Sequence, residues 1–191
     1  MTDFVHLRVK SHYSFLSGLG KPAKFVERAK ELSMSGVALT DAGNLYGSFE
    51  FYKACREAGI KPIIGVEFAV AESGRTSRDR NQNIYRILLL ARDNEGYRNL
   101  IELVSASYLT GYYFEPRVDF DLLEQYASGL ICLTGGIHGE IPQHVITGRD
   151  EAYIRERVRY YQKLYGDEGV YLELQEHPDR PNQARVNDAL V

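Results

Sequence analysis

Asp41, Glu67 and His177 each fall near the end of a segment that reads as a strand. Carboxylates and neutral imidazoles converging at such a place can hold divalent metals and lower the pKa of a bridging water, the chemistry of phosphoester hydrolysis. The same strand ends also carry Arg8, Lys10 and Arg86. Arginine does not deprotonate to become a ligand, and a lysine does so only at considerable cost. Three cations at these positions repel a metal cluster. They point instead to ion pairs with Asp41 and Glu67, with a bound phosphate or sulfate among the same cations as the alternative.

The elements that must position these side chains alternate between strand and helix. Phe4–Val9 reads as a strand, and Pro22–Leu32 as a helix with Phe25, Val26, Ala29 and Leu32 at helical spacing. Gly36–Thr40 is a short buried strand, followed by a helix from Leu45 to Ala58 that Gly59 closes. Pro62–Val70 and Ile84–Ala91 are further strands, the latter a near-continuous apolar run that implies burial on both faces. Between them, Ser73–Asn83 is polar and charged and is expected to be a mobile loop. An amphipathic helix over Asn94–Tyr108 follows. The remaining strands are Leu130–Thr134 and Val170–Gln175, separated by helices over Glu140–Thr147 and Glu151–Tyr165, and Asn182–Val191 reads as a last helix. Strands alternating with helices predict a parallel α/β sheet with function at the C-terminal strand ends. Six such strands without a G-x-G-x-x-G turn favour a barrel over a dinucleotide-binding sheet.

Composition narrows the class. Hydrophobic content of 44% and charged content of 26% over 191 residues suit one soluble globular domain. A net charge of −3 gives no general attraction to DNA or anionic membranes, so any phosphate-binding surface is expected elsewhere. Cys55 and Cys132 lie far apart and form no C-x-x-C, which fits reduced thiols in a cytoplasmic protein. No apolar run approaches the ~20 residues that span a bilayer. No signal peptide is expected at the start, and the last helix reads as cut in mid-course, as in part of a longer polypeptide.

Several other residues attract a plainer reading. His6 is expected to be a buried hydrogen-bonding residue, His12 and His138 surface residues, and His144 a helix residue without a role. His177 is the best remaining histidine, though without ligand partners. Gly18, Gly43, Gly47 and Gly65 serve tight turns, since no P-loop is present. The stretch Tyr108–Phe114 is read as packing of a long loop, with an aromatic surface for a partner or a base as the alternative. Arg117 is expected to pair with a nearby acid.

Six ordered blocks carry a family resemblance. Phe4–Gly18 is similar to a motif H-L-H-x-H-S-x-Y-S-x-L-D-G, and Leu39–Gly47 to T-D-H-G-N-L-x-G. Gly59–Glu67 resembles G-I-K-P-I-x-G-x-E, and Leu88–Leu100 resembles L-L-A-K-N-x-x-G-Y-x-N-L. Tyr112–Asp119 resembles Y-x-x-P-R-x-D, and Gly129–Ile141 resembles G-L-I-A-L-S-G-C-L-x-G-E-I. These blocks resemble the PHP (polymerase and histidinol phosphatase) domain at the N-terminus of the bacterial replicative DNA polymerase III alpha subunit. The resemblance implies a distorted (β/α)7 barrel of the PHP type, spanning 1–191 and incomplete at its C-terminus, with the mobile loop at about 73–83.

At the ligand positions the resemblance fails. Where metal-binding members carry histidine, this chain has Arg8, Lys10, Ala42 and Arg86. Ser17 stands in place of an aspartate, and Gly136 in place of a common cysteine. Glu67 is retained, with Asp41 beside a lost histidine. The resemblance therefore implies a structural and interaction module, catalytically inactive and without a cofactor of its own, inside a DNA-directed DNA polymerase that uses dNTPs, a template and Mg2+. Its expected partners are the rest of the polymerase chain and the proofreading exonuclease subunit, with DNA contacted through the parent enzyme rather than through this domain. The competing reading is a residual phosphoesterase or 3′–5′ exonuclease holding Zn2+ or Mn2+ on Asp41, Glu67 and His177.

Overall fold

A computed structural model describes residues 4–177, 179–180 and 182–191. The chain has a mixed α/β fold with a six-stranded sheet, and it divides into two compact units, 1–67 and 68–191.

In the first unit, helix α1 (Pro22–Glu31) leads into strand β1 (Gly36–Ala42), helix α2 (Ser48–Ala58) and strand β2 (Lys61–Ala71), whose last four residues belong to the second unit. Strands β1 and β2 are parallel, in a register that sets Ala42 opposite Glu67. The two helices pack together over a core of Val26, Ala29, Val37, Leu39, Phe51, Cys55 and Ile60. Helix α2 stops at Gly59, whose φ of 72° is left-handed, a conformation that glycine adopts without steric strain.

The Phe4–Val9 strand is not realised as a ladder. His6 forms an isolated parallel bridge to Val37, and two β1 amides donate to the segment, Ala38 N to His6 O and Thr40 N to Val9 O, while Val9 N donates to the Thr40 side chain. Two residues advance along β1 while three advance along the first segment, and that mismatch breaks regular pairing.

The second unit contains strand β3 (Ile84–Ala91), helix α3 (Asn94–Leu109), the two-residue strand β4 (Arg117–Val118) and helix α4 (Phe120–Gln125). Strand β5 (Leu130–Leu133), helices α5 (Glu140–Ile146) and α6 (Glu151–Tyr165), strand β6 (Val170–Tyr171) and helix α7 (Gln183–Leu190) complete it. Helix α3 starts where the Asp93 carboxylate accepts the Gly96 amide at 2.9 Å. A Cβ at Gly96 would lie 1.8 Å from the Gly129 carbonyl oxygen, so glycine permits this close packing. Helix α3 packs on β3 and β5.

The expectation of an all-parallel sheet is corrected here. Strand β3 runs antiparallel to β5, while β4 joins β2 and β6 joins β5 in parallel. The 72–83 connection contains no helix and returns directly, with Glu72 N donating to Asn83 O. A parallel pair needs a crossover, and this connection has none. The predicted strand over Val170–Gln175 is reduced to two residues, and Glu173 N instead donates to Thr134 Oγ1 at 3.1 Å. Strand β4 and helix α4 are additions to the predicted elements, with α4 capped by Asp119, which accepts from Leu122 N. No helix among the described residues is long and apolar enough to cross a membrane.

Candidate functional site

The first unit brings together most of the residues singled out by chemistry. Glu67 sits on β2 with its carboxylate almost wholly buried. One oxygen, Oε2, accepts from the Arg8 guanidinium, and the other accepts from Lys10 Nζ at 2.6 Å. Both cations keep about a quarter of their side-chain surface exposed. Burial of a carboxylate is tolerable when both oxygens are paired, and these are.

Asp41, 2% exposed near the end of β1, is held by serine donors rather than by the cations that the sequence reading expected. It accepts from Ser11 N at 2.7 Å, Ser11 Oγ at 2.8 Å and Ser14 Oγ at 2.6 Å. Ser14 Oγ also accepts from Ala42 N at 3.0 Å. Three donors to one carboxylate supply charge-assisted bonds worth about 1.5–3 kcal/mol each. Ser11 and Ser14, both fully buried, are therefore the site residues that the sequence reading missed. Their spacing, three apart in a tight turn facing an acid, is a signal only once the strand pairing is known. Ser17 is exposed and donates to Ser14 O at 3.3 Å, a turn role. Gly18 is required in the same turn, because a Cβ there would lie 2.0 Å from Ser11 O.

The other three expected ring residues belong to the second unit. Arg86 makes a two-pronged ion pair with Glu115, at 2.8 and 3.0 Å, rather than with Asp41 or Glu67. Gly136 adopts a φ of 57°, and a Cβ there would lie 2.5 Å from the Gln175 side-chain amide. His177 is exposed in the irregular segment after β6.

The plainer expectations also divide. His12 and His138 are exposed, as expected; His138 Nε2 lies 2.9 Å from an Arg180 nitrogen. His6 is exposed, with its ring edge-on to Phe4, because the first segment lies outside the regular ladder. Arg117 forms no ion pair among the described residues: its guanidinium donates to the carbonyls of Gly111, Arg75 and Ser77. Tyr112 and Phe114 are exposed rather than packed in a core.

A second buried carboxylate escaped sequence reading. Glu140, on the first turn of α5, accepts from Arg157 Nε at 2.6 Å and an Arg157 terminal nitrogen at 3.1 Å, and from Tyr161 Oη at 2.7 Å. His144 Nε2 lies 3.4 Å away, one turn along the helix. Burial alone lowers the pKa of Arg157, but the hydrogen bonds and charge of Glu140 outweigh it and the net shift is upward. Burial, then the Glu140 charge, holds the Tyr161 hydroxyl well above its usual range. Glu140 and His144 stand four apart on one helix, a recognisable spacing, but Arg157 and Tyr161 arrive from α6.

These groups do not fit a metal centre. Among the described residues, no three His, Cys, Asp or Glu side chains converge as a metal-binding group. Both oxygens of Glu67 face cations, and both oxygens of Asp41 accept from serine donors. A divalent ion would have to displace a guanidinium and an ammonium group, which repel it.

Comparisons place this architecture. The chain is 42% identical to the DNA polymerase III subunit alpha of Borreliella burgdorferi over 191 residues, covering 98% of this chain and 16% of that protein. It is 41% identical to the same subunit of Treponema pallidum, covering 92% of this chain and 15% of that protein. The chain thus spans about a sixth of the length of these relatives. An amidohydrolase from Chromobacterium violaceum superposes with a TM-score of 0.53 at 14% identity, covering 98% of this chain and 97% of that one, a likeness of fold alone. The PHP domain family model matches residues 6–177. With that match covering nearly all of the chain, on an α/β fold with Asp41 near the end of β1 and Glu67 within β2, the chain belongs to the PHP domain family.

Proposed function

We propose that this chain is the PHP domain of a longer DNA polymerase III alpha-type polypeptide, with the metal site replaced by ion pairs and a structural and interaction role in DNA replication. The observation that carries this reading is the pairing of both Glu67 oxygens with Arg8 and Lys10. The identity to the alpha subunits supports the parentage. Polymerisation from dNTPs on a template, with Mg2+, then belongs to parts of that polypeptide beyond this chain. The vestigial positions are Arg8, Lys10, Ser17, Asp41, Ala42, Glu67, Arg86, Gly136 and His177.

The interaction role is supported by side chains that have no reason to face water. Phe15, Leu16 and Leu19 are 87%, 92% and 99% exposed in one turn-rich segment. Leu16 holds a φ of 60°, a strained conformation for a branched side chain. Exposed apolar clusters of this kind mark protein contacts, and the rest of the polymerase chain is the occupant we assign. The proofreading exonuclease subunit is the second proposed partner.

Elemental mass spectrometry of the chain, after incubation with Zn2+, Mn2+ and Mg2+ and removal of free ions, tests the metal-free reading. The expected content is near zero, with no nuclease activity on single-stranded DNA. Tightly held ions together with nuclease activity would instead establish the residual Zn2+ or Mn2+ phosphoesterase built on Asp41, Glu67 and His177.

A further inference from the structure

Two segments of the second unit meet as an arginine-aromatic surface. Tyr108 and Tyr112 stack with ring centroids 6.3 Å apart, and both are exposed. Phe114 is 72% exposed with a φ of 63°, a left-handed conformation that turns a bulky ring outward. The bond from Tyr113 N to Glu115 O closes the turn around it. Arg78 and Arg80, both exposed, come from the 73–83 loop. Arg78 lies 5.2 Å from the centre of the Tyr113 ring, and Arg80 lies 5.5 Å from that of Phe114. Arg78 also donates to Tyr112 O, and Arg80 Nε donates to Tyr113 Oη at 3.3 Å.

The loop that carries these arginines is braced from below. Arg117, 2% exposed, donates to Gly111 O, Arg75 O and Ser77 O, and its guanidinium lies under the Tyr113 ring at 5.1 Å. Arg75 is tied to Asp119 at 2.8 Å. This arrangement also fixes the local charge. Asp119 is matched by Arg75 and Glu115 by Arg86, which leaves the exposed Arg78 and Arg80 beside the rings with Asp79 between them in sequence, while Glu72 at the loop's start accepts from Asn83 and Tyr85. The overall charge of −3 argues against a general pull on DNA, yet this surface is positive where its rings are exposed.

We propose that the surface formed by Arg78, Arg80, Tyr108, Tyr112 and Phe114 binds single-stranded nucleic acid, with bases stacked on the exposed rings and phosphates held by the two guanidinium groups. Exposed planar rings interleaved with arginines suit this ligand, because every base offers a face to stack and every linkage an anion. An acidic protein segment would use the charges but leave the rings without partners. The proposal stands apart from the metal and polymerase readings, and its test uses neither metal nor any other polypeptide.

The test is fluorescence anisotropy of the 191-residue chain with a labelled oligothymidylate of about ten nucleotides at about 50 mM salt. Binding is expected, weakened about tenfold by Phe114→Ala. The double variant Arg78→Gln/Arg80→Gln is expected to reduce the slope of log affinity against log salt by about 1.4. All of these side chains are exposed, and circular dichroism verifies that each variant keeps its fold. Absence of binding, or binding that Phe114→Ala leaves unchanged, overturns the proposal. So does displacement of the oligonucleotide by an equal concentration of oligoglutamate, which would assign the surface to acidic protein segments.

Discussion

Glu67 and Glu140 are both buried carboxylates that face cations, yet they are built differently. Glu67 meets Arg8 and Lys10, which come from one irregular segment and remain about a quarter exposed. Glu140 meets Arg157 and Tyr161 from one helix and His144 from its own; Arg157 keeps 21% of its side chain exposed, close to Arg8 and Lys10, while Tyr161 is 4% exposed. The first arrangement is one buried carboxylate paired oxygen by oxygen with two cations from a loop-like segment. The second is a complete hydrogen-bonded network that pins α5 to α6. The same residue chemistry therefore carries different energetic weight, because Glu140 also holds the buried Tyr161 hydroxyl beside the buried His144, whereas Glu67 holds two partly exposed cations.

The largest expected effect is at Glu140. Glu140→Ala leaves the guanidinium of Arg157 and the Tyr161 hydroxyl without their acceptor, and should cost about 3–5 kcal/mol in urea unfolding. Glu67→Ala leaves two cations about as exposed as Arg157 but no buried hydroxyl, so a loss of about 1–2 kcal/mol is expected, with less for Arg8→Ala. An equal or larger loss at Glu67 would break the comparison and make the Glu67 ion pairs the main electrostatic anchor. Unchanged stability in both Glu67→Ala and Arg8→Ala would remove the ion-pair account altogether.

Two tyrosines of α6 sharpen the contrast on a smaller scale. Tyr161 donates to Glu140, whereas the Tyr165 hydroxyl is buried with no hydrogen-bond partner among the described residues. Tyr161→Phe should cost about 1 kcal/mol, and Tyr165→Phe should be neutral or stabilise by about as much, since it removes an unsatisfied buried group. Burial raises the pKa of both hydroxyls well above the ordinary 10.0. Their neutral forms therefore contribute stability that is fully present below pH 10 and is lost as pH rises, because the unfolded chain releases these protons first. Cys55, pushed up to about 11 by burial, acts in the same direction from pH 9.0 upward. Unfolding midpoints measured from pH 8 to 11 should fall on the alkaline side, and the double variant Tyr161→Phe/Tyr165→Phe should flatten that fall.

The sequence by itself determined the elements whose cause is local. Strand β3 and helix α6 have the predicted bounds, and α1, β1, α3 and α5 lie within two residues of theirs, because apolar periodicity and capping residues such as Asp93 act over a few positions. Side-chain chemistry alone, which keeps an arginine protonated, also led to the expectation of ion pairs at Arg8 and Arg86. Only the tertiary structure decided which acid each cation meets. Arg8 and Lys10 share Glu67, Asp41 turns to Ser11 and Ser14, and Arg86 goes to Glu115. It likewise decided that β3 runs antiparallel to β5 and that Tyr112 and Phe114 face outward. Strand direction and ion-pair choice depend on residues far apart in the chain, and their distances exist only after the backbone has closed around them.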